Sequence, residues 1–140
     1  MKRENYYRQG EENNAGRFYI EGKQAKTDAG GQGSAAANWQ MWESEVLSVG
    51  AEGRRYKVHD LTVSIHNLVG TEVTVRIYKV INGQERCCYE QKFNPAVDPP
   101  GLPVVCGTWG IRNIMRVTAQ SNNAADNGKE IDYDYMLEAA

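Results

Sequence analysis

The chain has 140 residues and a mass of 15.7 kDa, which suits one domain and leaves no room for a second hydrophobic core. Its formal net charge of −2 provides no broad positive field, so we expect no nucleic-acid partner. The polar N-terminus lacks the apolar stretch of a signal peptide, and no run reaches the roughly 20 apolar residues of a membrane helix. We therefore expect synthesis in a cytoplasm and no membrane partner.

Residues 1–38 are predicted to form an extended N-terminal arm without a core of its own. Residues 9–16 and 28–34 are polar and glycine-rich, so they bury too little apolar surface to offset the entropy of ordering. Residues 17–22 are the apolar island of the arm and alternate enough to pair as a short strand, on a neighbouring copy or on the chain's own domain. The candidate interface residues of the arm and its junction are Tyr6, Tyr7, Phe18, Tyr19, Ile20, Trp39 and Trp42.

From residue 39 onward apolar residues recur with a period of two, which is typical of half-buried strands. Residues 42–49 and 55–60 are predicted to be two strands joined by a turn at residues 50–53. The pair His59-Asp60 interrupts the alternation, so we expect a bulge or a strand break there. Alternation then resumes over residues 61–66.

The strongest turn signal is Asn82-Gly83, because a type I′ hairpin turn requires positive φ at both central residues. It predicts a hairpin of residues 71–81 and 84–93. Three further strands are predicted at residues 102–109, 112–120 and 129–138. In the last of these, Ile131, Tyr133, Tyr135 and Leu137 face one way, whereas Asp132, Asp134 and Glu138 face the other.

Helical periodicity is nearly absent from residues 39–140, so these elements predict an all-β fold. About seven antiparallel strands that must protect their edges favour a β-sandwich of jelly-roll or immunoglobulin-like topology. The predicted organisation is an extended N-terminal arm at residues 1–38 and a β-sandwich domain at residues 39–140.

The sequence offers no persuasive catalytic constellation, so we expect no enzymatic activity, cofactor or metal. The two histidines, His59 and His66, are interpreted as exposed or turn residues. A weaker alternative is a calcium site built from Asp126, Asp132 and Asp134, against a solvated acidic strand face.

Three cysteines, Cys87, Cys88 and Cys106, are an odd number for a disulfide framework. We expect free thiols, buried or half-buried as small apolar side chains. The tryptophans have three open interpretations, namely packing in the core or against the arm, a protein interface, and stacking on carbohydrate.

Residues 61–68, 76–86, 120–126 and 133–138 resemble small β-sandwich proteins of bacteriophage and prophage structural modules. The resemblance covers about two thirds of the chain and contains no catalytic motif. It implies a virion component, namely a capsid decoration (cement) protein or a tail, fibre or baseplate part.

The expected function is a non-enzymatic virion structural protein that binds the capsid lattice and neighbouring copies through its arm. Its expected partners are the major capsid protein and further copies of itself, with a homotrimer as the expected assembly. The alternative is a carbohydrate- or receptor-binding module that uses exposed tryptophan or tyrosine.

Overall fold

The computed structural model describes residues 28–140, and in this range the fold is all-β, antiparallel and sandwich-like, as predicted. A 3₁₀ helix, Ala124–Asp126, separates the last two strands. No described helix is long and apolar enough to cross a membrane. The seven strands are β1 (Asp28–Asn38), β2 (Ser44–Ser64), β3 (Val73–Ile81), β4 (Gln84–Phe93), β5 (Gly101–Leu102), β6 (Thr108–Ser121) and β7 (Asn127–Ala139).

The strands follow the order β1-β7-β2-β6-β3-β4, and the short β5 pairs with β2. The 21-residue strand β2 is central, because it pairs with β6 from Ser44 to His59 and with β7 from Tyr56 to Ser64. The strands on both sides of β2 in the sheet order are therefore joined through it. The largest fully buried side chains are Trp39, Leu61, Ile65, Ile77, Met115 and Ile131.

Residues 28–38 form strand β1 of the sheet, so the prediction that they belong to a coreless arm is wrong. They pair with β7 from Asp28 opposite Glu138 onward. Gly31 and Gly33 lie opposite Tyr135 and Tyr133, and a Cβ at Gly31 would come within 2.6 Å of the Tyr135 ring. The glycines thus provide space for two tyrosine rings, so a segment that looks coreless in sequence completes the sheet.

The predicted turn at residues 50–53 is wrong, because residues 44–64 form one continuous strand. Both flanks of this segment pair with β6, and the extra residues form an irregularity between Gly50 and Arg55. Gly50 has φ +105, and the Gly53 amide donates to Asn113 Oδ1 at 2.6 Å. A shared partner strand therefore converts a turn-like sequence into a bulge.

The predicted irregularity at His59-Asp60 is confirmed by a register shift between His59 and Thr62 and by φ 48 at Asp60. The hairpin of β3 and β4 is also confirmed, with φ 51 at Asn82 and φ 79 at Gly83. Positive φ at both positions is the condition for a type I′ turn.

The predicted strand at residues 102–109 is wrong, because only Gly101–Leu102 pairs before the chain leaves the sheet. Pro103 lacks an amide hydrogen, while Val104 and Val105 are buried outside regular pairing. Strand β6 then starts at Thr108 and extends beyond the predicted range. The final strand is confirmed, with Ile131 fully buried.

The fully buried carboxylate of Asp126 connects the loop after β2 to the start of β7. It accepts hydrogen bonds from the Val69 and Gly70 amides at 2.8 and 2.9 Å and from Ser121 Oγ at 2.6 Å. Lys129 Nζ lies 3.5 Å away. Burial alone raises the pKa of Asp126, but these hydrogen bonds and the lysine charge hold the pKa below its usual value.

Replacement of Asp126 by asparagine is expected to lower the free energy of unfolding by about 2–4 kcal/mol, because buried donors lose a charged acceptor. The folded pKa is depressed, so this stabilisation is present above the unfolded pKa of about 3.9 and disappears as pH falls through the folded pKa. Urea unfolding as a function of pH measures both effects. Asp134→Asn, at an exposed position, is the control, and equal stability of Asp126→Asn and wild type would contradict the account.

Candidate interaction surface

The predicted interface residues separate into three groups. Five of them lie outside the described residues, namely Tyr6, Tyr7, Phe18, Tyr19 and Ile20. Trp39 is fully buried, and its indole Nε1 donates to the Lys129 carbonyl at 2.7 Å. Trp39 is therefore a core residue rather than an exposed interface residue of this domain. Trp42 is 57% exposed, next to Met41 at 55%, in the connection from β1 to β2.

A polar cluster fixes the chain next to Trp42. The Glu43 carboxylate accepts from Tyr78 OH at 2.6 Å and from Thr118 Oγ1 at 2.5 Å, and it lies 3.2 Å from Arg76 Nη1. The hydrogen bond to Glu43, followed by burial, raises the pKa of Tyr78 to about 12. Trp42 is thus presented next to a residue anchored on both β3 and β6.

The two outermost strands, β1 and β4, end the sheet. Nearly all residues of β4 are exposed on both faces, including Cys87 and Cys88. Cys106, in the connection before β6, is exposed as well. The prediction of buried or half-buried thiols is therefore wrong, because β4 is an edge strand with little packed against either face. The prediction of free thiols holds for all three.

All three cysteines are expected to react with a maleimide in the folded protein, because each is exposed. Partial burial raises the pKa of Cys88, so its labelling should accelerate as the pH approaches that raised value. Mass spectrometry without and with denaturant measures the labels added per chain. A thiol that reacts only after unfolding would contradict this placement.

The outer face of β1, β7 and β2 carries an acidic region. Register places Asp134 between Gln32 and Thr62 and places Asp132 between Ser34 and Ser64. All of these residues except Ser34 line an open groove of about 560 Å³. Asp132 and Asp134 share a face as predicted, but the buried Asp126 is already occupied by its own donors. Within residues 28–140, no group of three or more His, Cys, Asp or Glu could hold a metal ion.

A row of Ser64, His66 and Asp132 crosses this face, and the sequence analysis missed it. His66 Nδ1 lies 2.7 Å from Ser64 Oγ, and His66 Nε2 lies 3.8 Å from Asp132 Oδ2. The Ser64-x-His66 spacing on one strand face was the available signal, but Asp132 comes from a strand far along the chain. The side chains of His66 and Asp132 are 44% and 49% exposed, so the row lies in water and not in the closed site that activates a serine.

The opposite end of the same face is basic. Arg55 lies opposite Arg112, and Lys57 follows on the same side of β2. These side chains line a groove of about 370 Å³ next to Lys79. None of the four forms an ion pair with another described residue, although Lys79 lies 5.6 Å from the centre of the Trp109 ring.

No family model matches the chain, and no curated protein matches it. Among solved structures, a chain from work described as "Bacillus endospore appendages form a novel family of disulfide-linked pili" superimposes with a TM-score of 0.47 at 11% sequence identity. The match covers 84% of this chain and 91% of that chain. A likeness this distant carries no functional information for the present protein.

Proposed function

We propose that this chain is a non-enzymatic virion structural protein, a capsid decoration protein that binds the capsid lattice and neighbouring copies through residues 1–27. The observation that carries the proposal is the position of β1. This strand is the last in the sheet order, pairs with β7, and begins at Asp28 opposite Glu138. Residues 1–27 are attached to this edge strand, and in the proposed function they contact a neighbour.

Opposite net charges support contact between residues 1–27 of one copy and the domain of a neighbouring copy. Residues 1–27 contain six Lys or Arg and four Glu, whereas residues 28–140 contain ten Lys or Arg and fourteen Asp or Glu. The two parts thus have opposite net charge, which favours their association and steers it. Tyr6, Tyr7, Phe18 and Tyr19 supply aromatic side chains of the kind that anchor protein interfaces.

The virion assignment and the major capsid protein as partner rest on the resemblance of residues 61–68, 76–86, 120–126 and 133–138 to phage structural proteins. The described domain is suited to serve as a rigid base for the attached residues 1–27. Asp126 and Glu43 hold three connections in place through side chains that are buried or half-buried. Many weak contacts of identical copies on a lattice then sum to firm attachment.

Deletion of residues 1–27 is expected to leave a folded domain that no longer co-sediments with capsid particles, because β1 and the core remain. Deletion of residues 1–38 removes β1 as well and uncovers Tyr133 and Tyr135, so this variant should be less stable than the shorter deletion. Thermal unfolding and particle co-sedimentation measure the two effects separately. Full particle occupancy by the chain without residues 1–27 would contradict the proposed function.

A second candidate function is a carbohydrate- or receptor-binding module, and the exposed indole of Trp42 favours it. Exposed tryptophan next to an anchored residue suits stacking on a sugar ring. If this function holds, a glycan array should show binding that Trp42→Ala abolishes while Met41→Ala retains it. Absence of any glycan bound by the wild-type chain would exclude this candidate.

A further inference from the structure

We infer that the outer face of β1, β7, β2 and β6, here called the polar face, binds a second copy of this chain in antiparallel orientation. Its acidic end consists of Glu130, Asp132 and Asp134, and its basic end of Arg55, Lys57 and Arg112. The acidic end of one copy contacts the basic end of the other. This inference rests on the proposed self-assembly and assigns a surface to it.

Both ends lie on one face of the sheet, as the register shows. Side chains two residues apart in a strand share a face, so Glu130, Asp132 and Asp134 are aligned along β7. Asp132 lies opposite Ser64, and Glu138 lies opposite Lys57, which places Lys57 on the same side. On both sides of the register shift after His59, these paired residues of β2 and β7 therefore lie on the same face of the sheet.

The two ends are too far apart to neutralise each other within one copy. Six residues of β7 separate the position opposite Ser64 from the position opposite Lys57, which corresponds to about 20 Å at roughly 3.3 Å per residue. This exceeds the screening length of about 8 Å at physiological ionic strength. Except for Asp132 with His66, no side chain of either end forms an ion pair with another described residue.

Three cations without an ion pair to another described residue, Arg55, Lys57 and Arg112, share one end of the polar face. Among the other described arginines and lysines, Arg76, Lys92, Arg116 and Lys129 have a carboxylate partner, whereas Arg54, Lys79 and Arg86 form no ion pair with another described residue. A domain that carries more acidic than basic residues nevertheless keeps Arg55, Lys57 and Arg112 unpaired on a single surface. Charged groups in this arrangement select an acidic partner surface, and Glu130, Asp132 and Asp134 provide one.

Met136 provides an apolar centre for the contact. It lies on the same side of β7, between Asp134 and Glu138, and is 54% exposed. Gly30 lies opposite Met136 on β1, so no neighbouring side chain covers it from that strand. An apolar centre with a polar rim is the usual arrangement of a protein interface.

Two-fold symmetry follows from placing both ends on one face. A rotation about an axis in the plane of the face, perpendicular to β7, lays the acidic end of each copy on the basic end of the other. Every contact then occurs twice, as in an isologous dimer. The two Met136 side chains lie near the axis.

The size of the face predicts a weak and salt-sensitive dimer. Four strands at about 4.8 Å spacing and about ten residues of length give roughly 600 Å² per copy. The total of about 1,200 Å² lies at the lower limit for specific interfaces. Association should therefore weaken strongly with ionic strength, since charge pairs provide much of the attraction.

Reciprocal charge exchange tests the inference in the full-length chain. Arg55→Glu/Arg112→Glu makes both ends acidic, and Asp132→Lys/Asp134→Lys makes both ends basic. By sedimentation velocity at low salt, each variant alone should dimerise at least roughly tenfold more weakly than wild type, because like charges face each other. A mixture of the two variants should restore a dimer, since each end then meets its opposite.

Matched controls carry the same charge changes elsewhere: Arg86→Glu/Lys92→Glu on β4, and Glu72→Lys in the loop before β3 combined with Glu90→Lys on β4. They should dimerise like wild type and gain nothing from mixing. Neutral variants, Arg55→Gln/Arg112→Gln, test the same contact if a reversed variant fails to fold, and should weaken the dimer as well.

A wild-type chain that is monomeric at low salt, a dimer insensitive to these changes, or restoration by the control mixture would each overturn the inference. The result is separable from the proposed function, because all of these variants keep residues 1–27. A charge-reversed variant that no longer dimerises but still binds particles has lost the polar-face contact alone. Particle binding by a chain without residues 1–27 would refute the proposed function and leave the inferred polar-face contact standing.

Discussion

The shared strand β2 is the constraint on which the rest of the structure depends. Its 21 residues pair with β6 along one part and with β7 along the other, so β2 joins the strands on its two sides into one sheet. Its pairing with β6 is interrupted by an irregularity at Gly50–Arg55, and its pairing with β7 by one at His59–Thr62.

The surfaces of the domain follow from this pairing. Because β7 lies next to the second part of β2, its acidic side chains share a face with Arg55 and Lys57 at the other end of the strand. Because β1 adds to the free side of β7, residues 1–27 are attached to an edge strand of the sheet. The proposed assembly through residues 1–27 and the proposed contact through the polar face therefore both depend on this topology.

The sequence predicted features that depend on neighbouring residues. Alternation identified the final strand, and Asn82-Gly83 identified the hairpin, because both signals are local. The sequence did not predict β1, because its glycines provide space for Tyr133 and Tyr135, which follow about 100 residues later in the chain. The bulge at residues 50–53, the exposure of Cys88 and the row through Asp132 likewise depend on which strands become neighbours.

The pairing of β1 with β7 in the folded domain is the feature on which the proposed function depends. Hydrogen exchange measured by mass spectrometry on the free full-length chain tests it most directly. Peptides covering residues 28–38 should exchange far more slowly than an unstructured peptide of the same sequence, with protection that falls when Tyr135→Ala removes the ring over Gly31. Exchange of residues 28–38 at the rate of the unstructured peptide would contradict the account.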